Sequence, residues 1–254
     1  MSEQSAPLHS PPVASTRQRR KRAEKLSETV AREIVRDMRG LPANSMLPPE
    51  SVMLETYQVG RGSLREALRI LEVHGLLIIR PGPGGGPMVA ESESVDFAKM
   101  ASLHLHMAGA TYRDVIEARL VMEPVMARLA AERQDKSILQ QLQVYVDLPA
   151  PTKDQEYIHS VSNFHSLVSG VSTNPVLDLY SRSLKDIYTD RIESMIFPVS
   201  ARARVAAHHT QIAQLIVDGE ASEAEREMRA HMEEFLKFSA KRNPGILDEI
   251  VDWT

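Results

Sequence analysis

The pattern of hydrophobic and polar positions is most regular within residues 60–77, where it predicts a short amphipathic helix ended by Gly75. The apolar stripe of this helix consists of Leu64, Ala67, Leu68 and Leu71. A second face carries one cation every four residues, at Arg61, Arg65 and Arg69. A helix with one side for a core and one side for anions is typical of a DNA recognition helix. A solvated amphipathic helix would show the same pattern, so the flanking segments decide between the two.

The flanking segments predict the rest of a small DNA-binding domain. Upstream, LPPESVML (residues 47–54) has the prolines and the acidic first turn of a helix start, and residues 58–60 leave room for a tight turn. Downstream, LLII (residues 76–79) and MVA (residues 88–90) can pair as strands around RPGPGGGP (residues 80–87), which is almost entirely Gly and Pro. Helix, turn, helix and a hairpin with a glycine-rich tip together predict a winged helix.

Two further segments precede these elements. Residues 23–39 predict a first helix. Its buried stripe would consist of Leu26, Val30, Ile34 and Met38. Residues 1–22 predict a disordered basic tail, because the first part is rich in Ser and Pro and RQRRKR (residues 17–22) is a dense run of cations, either solvated or in contact with phosphates. The DNA-binding domain is therefore expected over residues 23–90, and the polar residues 91–95 form a joint.

Beyond residue 95 the hydrophobic pattern is helical, without alternation of strand length. Helices are predicted around residues 97–107 and over residues 112–133, 137–146, 153–170, 175–195, 201–218 and 221–239. Pro124 lies inside one of them and is expected to kink or interrupt it. We therefore predict a mainly α protein. An N-terminal winged helix-turn-helix with a small β-hairpin wing precedes an all-helical bundle over residues 95–240 and a tail over residues 241–254.

Composition excludes several classes of protein. The chain has 254 residues and no cysteine, so disulfides and thiolate metal sites are impossible. It contains no run of 18 apolar residues and no apolar signal core, so we expect a cytoplasmic protein without a membrane partner. The net charge of −4 alone argues against nucleic-acid binding. Residues 1–90, however, carry 13 Lys and Arg against 9 Asp and Glu, whereas residues 91–254 carry 17 against 25. The N-terminal part is therefore basic and the C-terminal part acidic.

The N-terminal motifs LPPE, GRGSLREAL and GLLIIRPGPGGG resemble the DNA-binding domain of GntR-type bacterial transcription regulators, over about residues 47–90. With the arginine face, the resemblance implies DNA contacts by Arg61, Ser63, Arg65, Arg69, Arg80, Gly82, Gly84 and Gly85. Ser51 stands where many members carry a DNA-contacting arginine, and Gly60 and Gly62 also depart from the usual pattern. These departures change the operator that is expected, but not the expectation of DNA binding.

The C-terminal half resembles the FCD domain, the effector-binding bundle of the FadR subfamily of GntR regulators, over roughly residues 95–240. Three motifs carry the resemblance: EARLVMEPVMARLAA (residues 117–131), NFHSLVSGVSTNP (residues 163–175) and HTQIAQLIVDGEASEAEREMRAHM (residues 209–232). The resemblance implies a pocket for a small ligand, often a carboxylate, and a role in dimerisation. Many members also bind a metal through one Asp and three His.

Three histidines occupy the family's ligand positions: His165, His209 and His231. Neutral imidazoles on facing helices can converge on zinc or another divalent transition metal, although each could instead form a hydrogen bond in a polar cavity. Val161 replaces the family's Asp, one helical turn before His165. The expected site therefore has three His and is completed by water or ligand, or it holds no metal.

Arg119 and Glu123 match a further pair of the same family. Their spacing predicts an i, i+4 salt bridge, or alternatively an Arg119 that reaches a ligand carboxylate. The residues expected to bind the effector are Arg119, His165, His209 and His231.

These features together predict a homodimeric, DNA-binding transcription regulator and not an enzyme. On the resemblance, it would repress from an inverted-repeat operator on double-stranded DNA, with an affinity set by a carboxylate or an acyl- or lipid-derived effector. The alternative is a metal-dependent hydrolase with a three-His centre. That alternative needs a general base, and the sequence contains no HExxH pairing.

Overall fold

The computed structural model describes residues 13–91, 94–146, 153–192 and 197–253. The chain divides into two compact units, Met1–Glu93 and Ser94–Thr254. The first unit contains α1 (Val13–Met38), α2 (Glu50–Thr56), α3 (Arg61–Val73), β1 (Leu77–Arg80) and β2 (Gly86–Val89). The two strands are antiparallel, with Leu77 opposite Val89 and Arg80 opposite Gly86. This is the predicted winged helix-turn-helix.

The core of the first unit joins α1 to α3 and to the wing. Its buried side chains include Val30, Ile34, Met53, Leu64, Leu68, Leu71 and Leu77. Leu26 was predicted to belong to this core, but 43% of its surface is exposed, because the buried face of α1 runs through Ser27, Val30, Ala31 and Ile34. Helix α1 also begins at Val13, so residues 13–22, predicted as part of a disordered tail, are helical. Their Arg, Lys, Gln and Ala are strong helix formers, so a dense run of cations is compatible with a helix here. Residues 1–12 lie outside the described residues.

The tip of the wing depends on its glycines. Gly82 and Gly84 have φ angles of 93° and 77°, which an L side chain rarely adopts. At Gly85 an added Cβ would lie 2.2 Å from the carbonyl oxygen of Arg80. The backbone of the tip is therefore bare and able to approach another molecule closely.

The second unit is an all-helical bundle. Its helices are α4 (Ser94–Ala108), α5 (Tyr112–Arg133), α6 (Lys136–Val146), α7 (Asp154–Val171), α8 (Pro175–Ile192), α9 (Val199–Val217), α10 (Ala221–Arg242) and α11 (Pro244–Leu247). Helix α5 is central, since it packs against α7, α8, α9 and α10. A capping box at Thr111 and Asp114 begins it, and Pro124 does not interrupt it. The predicted fold class is confirmed.

The segment after α10 is part of the bundle and not the predicted tail. Leu247 and Val251 are fully buried. The Val251 amide donates to the Ala110 carbonyl at 2.9 Å, and the Tyr112 amide donates to the Glu249 carbonyl at 3.1 Å. The segment is too short and aperiodic for a sequence pattern to identify, yet its apolar side chains complete the core next to the start of α5. No helix in the described ranges is long and apolar enough to cross a bilayer.

Candidate DNA-binding face and three-histidine site

Helix α3 presents its arginines to solvent. Arg61, Arg65 and Arg69 are exposed, while the apolar stripe on the other face of α3 is buried. A groove runs between α3 and the wing. Its lining includes Glu50, Arg65, Arg69, Glu72, Arg80, Gly82, Gly84 and Gly85. Of the other predicted contacts, Arg61 is exposed in the first turn of α3 and Ser63 is half-buried beside it. The structure thus brings arginines and bare glycine backbone together along one groove.

Glu50 also lies in this groove, although the sequence indicated only a helix-start role for it. The Arg65 Nε donates to the Glu50 Oε1 at 3.0 Å, which joins the starts of α2 and α3. Both side chains are exposed, so the pair contributes little to stability. It does occupy one of the five guanidinium donors and holds Arg65 in one orientation.

The three predicted histidines meet inside the second unit. His165 lies on α7, His209 on α9 and His231 on α10, and all three are buried. The His231 Nε2 is 3.2 Å from the His209 Nε2 and 3.4 Å from the His165 Nε2. One ligand atom from each residue lies within 4.8 Å of the others. Helices α9 and α10 are joined through Gly219, whose φ of 78° closes the turn, so His209 and His231 reach the same level of the bundle.

The imidazoles of His209 and His231 are held in the neutral form. Burial lowers the pKa of both His209 and His231 well below the usual value, and the neighbouring imidazoles lower it further. A neutral imidazole nitrogen carries either one hydrogen or one lone pair, so three facing Nε2 atoms cannot satisfy one another. Lone pairs directed at a shared cation would satisfy all three, and neutral imidazole is the form that ligates metals.

A carboxylate next to the cluster forms a hydrogen bond with one of the histidines. Glu123 accepts hydrogen bonds from the His165 Nδ1 and, at 2.6 Å, from the Arg119 Nε. Although burial raises the pKa of the Glu123 carboxyl, its contacts with Arg119 and His165 outweigh this effect and hold the pKa at about 2. Glu123 is therefore ionised. Its bond to Nδ1 leaves the His165 Nε2 lone pair facing the other two rings.

The predicted i, i+4 salt bridge between Arg119 and Glu123 is present and buried. Arg119 also donates to the Tyr188 hydroxyl and lies over the Tyr188 ring. Its guanidinium thus holds Glu123 in place on one side and contacts α8 on the other.

A cavity of about 50 Å³ opens beside the cluster, and we call it the bundle cavity. His165, His231, Arg119, Lys185 and Tyr188 line its polar part. The apolar part includes Tyr157, Val161, Phe197, Val205, Met232 and Phe235. His209 is set back from the cavity, and its ring stacks on Phe164 with ring centroids 4.0 Å apart. His165 and His231 thus line the cavity, and an ion bound to them could also contact a ligand inside it.

The donor set fits a borderline transition metal. Three imidazole nitrogens suit zinc, whereas calcium and magnesium prefer oxygen ligands. Val161 lines the bundle cavity and has no donor atom. Among the described residues, these three histidines are the group that could hold a metal ion. An ion bound by only three nitrogens would keep one coordination position open. His208 lies outside the group and binds Glu227 at 2.6 Å and Glu234 at 3.1 Å.

Sequence reasoning missed Lys185 and Tyr188. They are three residues apart on α8, which places them on one helix face, but this spacing alone carries no chemical signal. The Lys185 Nζ donates to the Ser166 Oγ at 3.0 Å, next to His165 in the chain. Burial lowers the pKa of the Lys185 ammonium, because its charged form is costly to desolvate. The carboxylate of Asp186, 3.8 Å from the Lys185 Nζ, opposes this effect.

A winged helix with an exposed arginine groove, joined in one chain to a helical domain with a ligand-sized cavity, defines a DNA-binding transcription regulator. Residues 26–85 match the model of the "Bacterial regulatory proteins, gntR family", and residues 114–234 match the FCD domain. The chain is 31% identical over 198 residues to the uncharacterised HTH-type transcriptional regulator YcbG of Bacillus subtilis, covering 78% of this chain and 80% of that protein. It belongs to the GntR family, as a member with an FCD domain.

Other relatives and one solved structure agree with this assignment. The HTH-type transcriptional repressor NanR of Klebsiella aerogenes is 24% identical over 243 residues, with 86% of each chain covered. The HTH-type transcriptional regulator LutR of Bacillus subtilis is 25% identical over 199 residues, covering 76% of this chain and 90% of LutR. The structure of Streptococcus agalactiae GntR, at 23% identity, has the same fold, with a TM-score of 0.66 over 83% of this chain and 99% of that one. The family is one of transcription regulators and not of enzymes, which opposes the hydrolase alternative.

Proposed function

We propose that this protein is a homodimeric repressor of the FadR subfamily, whose affinity for an inverted-repeat operator changes when a small effector binds in the bundle cavity. The observation that supports this most is the buried three-histidine cluster beside a cavity, in a chain that also carries a DNA-binding domain. Repression agrees with the description of NanR as a repressor. The effector is a carboxylate or an acyl- or lipid-derived metabolite.

The DNA contacts proposed are those of the groove and the first turn of α3. Arg61, Arg65 and Arg69 would enter the major groove, with Ser63 beside them. Arg80 and the bare backbone at Gly82, Gly84 and Gly85 would approach the adjacent backbone or minor groove. Because one winged helix contacts a half-site, a two-fold operator requires two copies of the chain.

His165, His209 and His231 would hold zinc or a similar divalent ion in the bundle, with Glu123 orienting His165. The ion, when bound, would supply a Lewis-acidic centre for an anionic group of the effector. Arg119 and the three histidines are the proposed effector-binding residues, with Arg119 acting through Glu123 and Tyr188.

Selection of random DNA by the full chain tests the proposal. Enriched sequences should contain two inverted half-sites, and light scattering should give the mass of a dimer with and without that DNA. Failure to enrich any sequence, or a monomer at micromolar concentration in both conditions, would oppose the proposal. The selected fragment is the operator used in the experiments below.

Glu50→Ala should lower the ratio of specific to non-specific DNA affinity by about threefold to tenfold. One bidentate arginine–guanine contact contributes roughly 1–3 kcal/mol to specificity. Arg65 loses the partner that orients it, so we expect the variant to lose part of this contribution. Loss of the negative charge should also strengthen binding to unrelated DNA. Fluorescence anisotropy with operator and scrambled fragments measures both affinities. Glu55→Ala removes the same charge from α2 and should keep the ratio; equal behaviour of the two variants would argue against an orienting role.

A further inference from the structure

The N-terminal part of the chain carries its excess of positive charge in one short run. Residues 1–90 contain 13 Lys and Arg against 9 Asp and Glu, but residues 23–90 contain eight of each, so the winged helix itself is neutral. The run RQRRKR (residues 17–22) holds five cations in six positions, and Glu24 is the nearest acid in the sequence. Sequence-independent attraction to DNA comes from cations that displace the counterions of the phosphates. The capacity for such attraction is therefore concentrated in this run.

The groove of the winged helix supplies little of this attraction. Its lining contains three arginines, Arg65, Arg69 and Arg80, but also two carboxylates, Glu50 and Glu72. The Arg65 Nε donates to the Glu50 Oε1 at 3.0 Å, so part of the arginine charge is already compensated. A protein that contacts roughly six to ten phosphates needs about as many cations, and this groove does not hold them.

The basic run belongs to the helix that packs against α3. Helix α1 is continuous over Val13–Met38, and Ser27, Val30 and Ile34 lie on its buried face. At about 1.5 Å per residue, residues 17–22 lie roughly 8–15 Å along the helix axis from Ser27. The run is therefore an extension of a helix that is anchored in the DNA-binding unit.

A helical run of this composition repels itself. Arg17 and Lys21 are four residues apart, and Arg19 and Arg22 are three apart, which are spacings at which like charges destabilise a helix. Because successive residues of a helix are about 100° apart, the five cations are distributed around the axis and do not form one stripe. Such an arrangement suits an array of phosphates better than the edge of a particular base. Phosphates close to the run would also remove the repulsion.

We propose that the basic part of α1, residues 17–22, is a second DNA-binding element, which contacts phosphates of double-stranded DNA and supplies most of the sequence-independent affinity. The inference rests on the proposed function, because it concerns the same DNA partner. The two elements have different roles. Helix α3 and the wing discriminate between base sequences, whereas the basic run strengthens binding to every sequence.

A variant with Arg19→Gln, Arg20→Gln and Lys21→Gln tests the inference, since Gln removes the charge and remains a good helix former. Each lost phosphate contact should lower the slope of log K against log salt by about 0.9, so the slope should fall by roughly three for each copy of the chain that binds. At about 0.1 M salt, the affinity should fall about tenfold or more. The loss should be equal for the selected operator and for a scrambled fragment, so their affinity ratio is unchanged. Fluorescence anisotropy with both fragments at several salt concentrations measures these quantities.

The control variant removes the same types of charge from the acidic unit. Arg226, Lys237 and Arg242 are exposed on α10. Their joint substitution by Gln should leave the salt slope and both affinities nearly unchanged. A third variant, with Arg19→Lys and Arg20→Lys, retains the charge of the run and should bind DNA like the unmodified protein. Circular dichroism confirms that each variant is folded.

Three results would overturn the inference. The first is an equal salt slope in the Gln variant of the run and in the control variant. The second is a Lys variant that binds as weakly as the Gln variant, because the effect would then not depend on charge. The third is tighter DNA binding by the Gln variant, which would show that the run competes with DNA by pairing with carboxylates of its own chain.

The selection experiment distinguishes this inference from the proposed function. A selected operator whose binding does not depend on the basic run would support the proposed function and overturn the inference. If the Gln variant loses affinity for all DNA but no sequence is enriched by the unmodified protein, the phosphate contacts are supported and the proposed function is opposed.

Discussion

Arg119→Met should destabilise the helical unit by about 3–5 kcal/mol, the usual cost of removing one partner from a buried ion pair. Glu123 and Arg119 are both about 2% exposed, so the remaining carboxylate could not regain water. Its pKa should rise from about 2 as the guanidinium that holds it low is removed. Urea unfolding followed by circular dichroism at 222 nm measures the loss.

Helix α5 offers a matched control for this substitution. Arg128 and Glu132 form the same i, i+4 pair, but their side chains are 39% and 44% exposed, and Arg128 also pairs with the partly exposed Glu225 at 3.2 Å. Arg128→Met should therefore change the free energy of unfolding by less than about 1 kcal/mol. Similar small losses in both variants would show that the Arg119–Glu123 pair is not a structural support of the bundle.

Arg61→Ala and Arg65→Ala should each weaken operator binding by about 1–3 kcal/mol, if each arginine forms a bidentate contact with a guanine. Both side chains are exposed on α3 and outside its buried stripe, so the fold should be unaffected. Anisotropy titrations with the selected operator measure the loss. Discrimination against a substituted base pair should relax at one position per variant.

Arg226→Ala is the control for the change in net charge. Arg226 is 74% exposed on α10, in the acidic unit, and pairs with Glu223. This variant should bind the operator like the unmodified protein. Unchanged affinity in Arg61→Ala and Arg65→Ala as well would exclude α3 as the recognition helix.

Strong periodicity made much of this fold predictable. The 3.6-residue pattern identified α3, α9 and α10, and the glycine between α9 and α10 indicated a tight turn that makes these two helices antiparallel. For antiparallel helices around a short turn, a separation of 22 residues brings His209 and His231 close together. The convergence of these two rings therefore follows from local sequence and helix geometry.

The chemistry around the histidines could not be predicted in the same way. The bond from His165 to Glu123 joins α7 to α5 across 42 residues, and Lys185 and Tyr188 come from a third helix. These contacts depend on how α5, α7 and α8 pack, which residue spacing within one helix does not specify. The resemblance of Arg119 and Glu123 to a family pair indicated two alternatives, and only the packed structure shows what each residue contacts.

The buried segment after α10 determines how the ligand-binding half can be studied in isolation. The match to the FCD domain spans residues 114–234, whereas Ala98, Tyr112, Phe235, Leu247 and Val251 lie outside that span and belong to its hydrophobic cores. A fragment cut at the limits of the match would expose the apolar surfaces that these side chains cover and would tend to aggregate. Expression of the ligand-binding half for calorimetry or crystallisation should therefore start at Ser94 and extend through Trp253, with any affinity tag placed at its N-terminal end.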